Sequence, residues 1–221
     1  MKEPPAVTHM TDSPTDASRF ARAVEQIDAA HREDPTHAES DGETYPAEWL
    51  YARRMAEWLG RLEPDASEAL RLAVRCQHIR RWTIPRASFP TTRPGYLQWR
   101  STLARFHAEQ AGEILRVVGY DEQTIARVQS LVRKERLASD PEAQALEDAA
   151  CLVFLAGEFV DFARKHDAQK VEGILRKTWR KMSEKGRAEA VKLAAGLPNR
   201  EREIIAKAVA PVPSPGTPGE G

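Results

Sequence analysis

The sequence predicts an all-α protein, a compact multi-helix bundle, on three observations. Apolar residues recur with the 3.6-residue period of amphipathic helices through most of the chain. No alternating Val/Ile/Thr run bounded by turn residues is present, so no sheet is expected. Helix punctuation falls where the periodic segments begin and end: Pro46 and Pro141 at first turns, Asp65 and Asp121 as N-caps, Gly119 as a C-terminal stop.

Taken in order, a first helix is expected from about Ala17 to Arg32 and a second from about Pro46 to Leu62. A third runs from about Ala66 to Arg80 and a fourth from about Gly95 to Val118. The fifth spans about Glu122 to Lys134 and a long sixth about Pro141 to Lys165, with three short helices following to about Val209. Between them, the acidic segment His31–Tyr45 and the proline- and arginine-rich segment Arg81–Pro94 read as loops, long enough to carry function. Residues 1–15 and 210–221, rich in Pro, Gly and polar residues, are expected to be disordered tails. That leaves 16–209 as one helical domain, with a core bundle over 16–165 and basic helices over 166–209.

Charge narrows the partners. Lys plus Arg number 33 and Asp plus Glu 33, so nucleic acid or membrane binding would need a local patch. Such a patch exists in Ala168–Lys207, where Lys and Arg outnumber Glu around Trp179. A solvated helical surface accounts for it as well as an RNA or acidic-protein partner does. Two cysteines, Cys76 and Cys151, with no further pair, fit a reducing cytoplasm. The longest apolar run, Ala149–Gly157, is too short to span a bilayer.

The candidate chemistry comes from polar residues on apolar helix faces. Asp148 shares a face with Leu152, Leu155, Phe159 and Phe162, while Glu147 lies nearer solvent. His107 shares a face with Leu103, Ala111 and Ile114, and His78 follows Leu70 and Val74. Glu48 is in line with Tyr51, Ala52, Met55 and Leu59. Inward charges are costly unless paired or metal-bound. His78, His107, Asp148 and Glu48 therefore form a candidate ligand set for a divalent metal, Mn, Fe or Zn, against the plain alternative of separate core residues with hydrogen-bond partners. Arg80, Arg81, Arg86, Arg100 and Lys134 are candidate contacts to a small anionic or phosphorylated substrate. Arg100 is also expected to stabilise the reaction, with Glu147 as general base.

Six stretches carry a family resemblance: Leu50–Leu59, Arg75–Arg86, Gly95–Arg100, Phe106–Ala108, Leu146–Leu155 and Lys177–Gly186. On these the chain resembles the family called domain of unknown function 4202, a resemblance that implies no activity. More distantly it is similar to the HD superfamily, all-α proteins with a first His, an adjacent His-Asp pair and a final Asp. Here Gln77-His78 stands for the pair, Glu48 or Tyr51 for the first His, and Glu147-Asp148 for the final acid, with His107 added. This likeness implies a metal-dependent phosphohydrolase. The alternative is a non-catalytic helical adaptor that binds RNA or an acidic protein through the basic C-terminal helices.

Overall fold

The structure, a computed structural model, describes residues 16–209; the expected tails, 1–15 and 210–221, lie outside the described residues. In chain order it contains α1 (Asp16–Arg32), β1 (His37–Ser40), β2 (Glu43–Pro46), α2 (Ala47–Leu62), α3 (Glu68–Arg75), α4 (Arg93–Val118), α5 (Glu122–Val132), α6 (Pro141–Val153), α7 (Phe159–Lys165), α8 (Ala168–Lys181), α9 (Glu184–Ala195) and α10 (Asn199–Val209). The all-α expectation holds. α2 packs on α6, α3 along α5, and α4 against both α5 and α1, while α10 packs on α8 and α9, and α8 and α9 each pack on α6. Ile27, Met55, Leu59, Leu72, Leu115 and Phe159 are fully buried in one connected core. Each such side chain contributes roughly 1.5–3 kcal/mol. No helix of the described residues is long and apolar enough to cross a membrane.

Most of the punctuation acts as expected. Asp121 accepts from Thr124 N at 2.8 Å, Pro141 opens α6 behind the Asp140 cap, and Gly119 ends α4 at φ 94°. Other expectations need correction. The cap of α3 is Ser67, which accepts from Leu70 N at 3.1 Å, and not Asp65. The acidic segment is not a plain loop, because β1 and β2 pair there as an antiparallel hairpin. Asp41 and Gly42 take φ of 54° and 81° at its tip, the positive values that a two-residue hairpin turn requires. Asp34 then anchors the hairpin to α2: its Oδ2 accepts from Glu48 N at 3.0 Å, a capping role that Pro46 lacks the side chain to fill.

Two helices are interrupted. α3 stops at Arg75, short of the expected Arg80, because His78 and Arg80 take left-handed backbone with φ of 63° and 51°. The carbonyls freed at this break are met by side chains: His31 Nε2 donates to Arg75 O at 2.9 Å and His107 Nδ1 to Ile79 O at 2.8 Å. The long sixth helix divides into α6, a π-helical turn at Phe154–Glu158, and α7. The turn passes close to Arg54: a Cβ at Gly157 would sit 3.0 Å from its Nη1. π turns inside α-helices often accompany functional sites.

The Arg81–Pro94 segment folds as two short 3₁₀ turns, Arg81–Thr83 and Arg86–Ser88, pinned over the start of α4. Trp99 Nε1 donates to Ile84 O at 2.9 Å, and the segment passes so near the helix that a Cβ on Gly95 would meet Pro90 O at 2.3 Å. Cys76 and Cys151 are buried free thiols, and burial pushes both up to about 12.

Candidate functional site

The break after α3, the middle of α4 and the turn after α5 surround a cavity of about 320 Å³. Its lining includes Gln77, His78, Arg81, Arg100, His107 and Lys134. The chain reaches this arrangement through strained backbone. His78 and Lys134, both lining residues, are in the left-handed region at φ of 63° and 56°. Non-glycine residues held there cost of order 1 kcal/mol and collect at functional sites.

Hydrogen bonds fix the histidine tautomers. Arg81 Nη1, which can only donate, stands 3.4 Å from His78 Nε2. The ring proton of His78 is therefore on Nδ1, 3.1 Å from Glu48 Oε2. His107 donates through Nδ1 to Ile79 O, which leaves Nε2 as an acceptor, buried and without a protein partner. The rings lie 6.0 Å apart, and Tyr51 stacks on His78 at 4.3 Å. Both histidines are neutral at pH 7. Burial, then the charges of Arg81, Lys134 and Arg100, holds His78 well below its ordinary value; His78 itself keeps 29% of its side chain accessible. Burial, then the neighbouring His78, brings His107 down to about 3. Burial raises Glu48 to about 7 against the opposing pull of Arg81.

The expected metal ligands are not brought to one point. Asp148 is buried, as its helix face required, but it faces α9. It accepts from Ser183 N at 2.9 Å, from Ser183 Oγ and from Gln144 Nε2 at 3.0 Å. Glu48 spends its carboxylate on His78 and Arg81. Among the described residues, no group of three or more His, Cys, Asp and Glu side chains is placed to hold a metal ion. Of the two imidazole Nε2 atoms, that of His78 already takes Arg81 Nη1 at 3.4 Å, which leaves that of His107 alone. As placed, the expected donor set does not fit a divalent metal.

Of the expected substrate contacts, Arg81, Arg100 and Lys134 line the cavity. Arg80 instead binds Glu33 and Gln110, and Arg86 staples its own segment through Phe89 O and Pro90 O. Glu147, expected nearer solvent as a base, is 5% exposed and held between Lys134 at 2.5 Å and Lys181 at 3.2 Å. Burial pushes its carboxyl up, but the two ammonium groups prevail and hold it below the usual range. Gln77 and Tyr51 entered the sequence reading only through the HD likeness, beside His78 and in place of the first His, and not as candidate contacts. Neither carries a charge, and nothing in the helical period of α3 marks the Gln77 side chain once the helix breaks.

Comparison with known proteins gives one family. The profile described as Domain of unknown function (DUF4202) matches residues 21–205. No curated protein and no solved structure matches the chain significantly.

Proposed function

Because the chain belongs to the DUF4202 family, whose description names no activity, we propose a function from the pocket itself: binding and hydrolysis of a small phosphorylated compound. One observation carries this reading. Two neutral imidazoles with accepting Nε2 atoms share a cavity with Arg81, Arg100 and Lys134, on backbone held in a strained conformation.

The three cations hold the phosphoryl oxygens and take up the charge that develops in the transition state. His78 serves as general base once Arg81 Nη1, which donates to its Nε2 in the unliganded pocket, turns to a phosphoryl oxygen and frees that lone pair. Water attacks phosphorus as its proton passes to His78 Nε2; the ester P–O bond breaks, and the leaving oxygen takes the proton back as an alcohol. Ionised Glu48, on His78 Nδ1, stabilises the imidazolium between these steps. The distant likeness to HD-type phosphohydrolases supports a phosphate ester as the substrate class but not this metal-free route, and the buried thiols support a cytoplasmic location. The adaptor reading has less behind it: Arg176 pairs with Glu172, Lys181 with Glu147 and Lys185 with Glu63, and although Arg81 and Lys134 are paired too, with Glu48 and Glu147, they line one cavity together with Arg100.

Phosphate release from a panel of small phosphate esters tests the proposal, run with chelator and with added Mn or Zn. Turnover is expected in chelator, lost by roughly 100-fold in His78→Ala. Arg100→Ala is expected to weaken binding by about tenfold or more. Turnover only with added metal would return the metal-dependent reading. No release and no thermal stabilisation by any phosphate would end the proposal.

A further inference from the structure

Two buried polar atoms in the pocket lack a partner within the protein: Nε2 of Gln77 and Nε2 of His107. Both residues line the cavity, each at 5% exposure. Their requirements are opposite. The Gln77 amide nitrogen donates, while His107 Nε2 accepts because the ring proton is committed to Ile79 O. With the Gln77 amide turned over, both atoms would accept, so the demand for a hydrogen from the ligand would increase.

A phosphoryl oxygen meets half of this requirement. It accepts from Gln77 and, when fully ionised, has no hydrogen for His107. A methylene group meets neither half and leaves both atoms buried and unpaired, which is costly. An alcohol hydroxyl accepts from the amide and donates to the imidazole at once. The cations Arg81, Arg100 and Lys134 on the same cavity supply the site for the anionic end. At about 320 Å³ the cavity has room for both ends of a compound of a few carbons.

We propose that Gln77 and His107 bind an alcohol hydroxyl of the phosphorylated compound, so that the pocket selects a hydroxylated phosphate ester, of the polyol or sugar phosphate class, over an alkyl phosphate. This deepens the phosphate reading above and rests on it. The hydroxyl is read through desolvated groups that have no other partner, which is the arrangement that discriminates most strongly against an analogue lacking it.

Calorimetric titration of the full chain with inorganic phosphate, propyl phosphate and glycerol phosphate tests it. Glycerol phosphate is expected to bind at least about tenfold more tightly than propyl phosphate, with the gap closing in Gln77→Leu and in His107→Phe. Ring-nitrogen NMR of the unmutated protein gives a second readout in case a variant fails to fold. The unprotonated His107 Nε2 resonance should move on addition of glycerol phosphate and stay in place with propyl phosphate. Equal binding of the two esters, or a gap that survives both substitutions, overturns the hydroxyl assignment and leaves the phosphate reading standing. Binding of none of the three overturns both.

Discussion

Left-handed backbone marks His78, Arg80, Lys134 and Arg136, and the four do not serve the same end. His78 and Lys134 line the pocket, whereas Arg136 lies on the exposed turn before α6, and its main-chain oxygen accepts from Ser139 N and Asp140 N. Glycine occupies this region without Cβ strain. Arg136→Gly should therefore raise stability by up to about 1 kcal/mol in chemical denaturation. Lys134→Gly relieves the same strain but removes one of the two cations on buried Glu147, so it should lower stability instead. A destabilised Arg136→Gly would show that the turn holds no strain. At this scale the sequence reveals direction better than partner. Periodicity puts His78, His107 and Asp148 on inward faces, and all three face the interior or the pocket. It cannot say that Asp148 turns to Ser183, because a helical face is defined before its neighbour is known. It also misplaces Glu147, which α6 alone leaves near solvent and which Lys181 from α8 helps to cover.

Among the elements, α9 is docked through one carboxylate. Asp148 on α6 reaches Ser183, the residue that caps α9, and sits so close that a Cβ on Gly186 would lie 2.6 Å from its Cγ. Gly186→Ala should cost roughly 1–3 kcal/mol by overpacking, and Asp148→Ala roughly 1–3 kcal/mol by leaving Ser183 N and Gln144 Nε2 without their acceptor. Their double variant should cost clearly less than the sum, since removing the carboxylate makes room for the methyl. Urea unfolding of the three variants measures this, and strict additivity would place the two effects in separate parts of the fold. The hairpin shows the reverse problem of legibility. Its turn signal, Asp41-Gly42, is present in the sequence, but the strands beside it, HAES and ETYP, carry almost no apolar alternation. They are held by Asp34 and by Thr36 O, which accepts from Ala47 N at 2.9 Å, contacts that a period-based search cannot detect.

For the whole molecule, the buried titratable groups set a pH dependence of two opposing signs. His31, His78 and His107 are held below their ordinary value of 6.5, in each case first by burial. As pH falls below that value the unfolded chain gains protons that the native state refuses, so stability declines, and for His107 it goes on declining toward about 3. Glu48 acts oppositely: raised from 4.5 to about 7, it favours the fold at low pH, and that contribution is lost as pH rises through about 7. Glu158, also raised from 4.5 by burial, acts with Glu48, so three groups stand against two and thermal stability should increase with pH between 4.5 and 6.5. Glu48→Gln should steepen the increase by removing one of the two opposing groups, and a flat or falling melting curve over this range would contradict the assignment of neutral histidines.

The two buried thiols give this fold an internal clock. A maleimide reacts with thiolate, and at pH 8 a thiol pushed up to about 12 inside the core offers it almost none. Labelling then waits for the chain to open around each sulfur, and its rate measures how often that happens. Cys76 sits next to Gln77 at the break after α3, while Cys151 sits in α6 beside the junction with the C-terminal helices. The same reaction therefore times two different openings, and a ligand that occupies the pocket should slow the first more than the second.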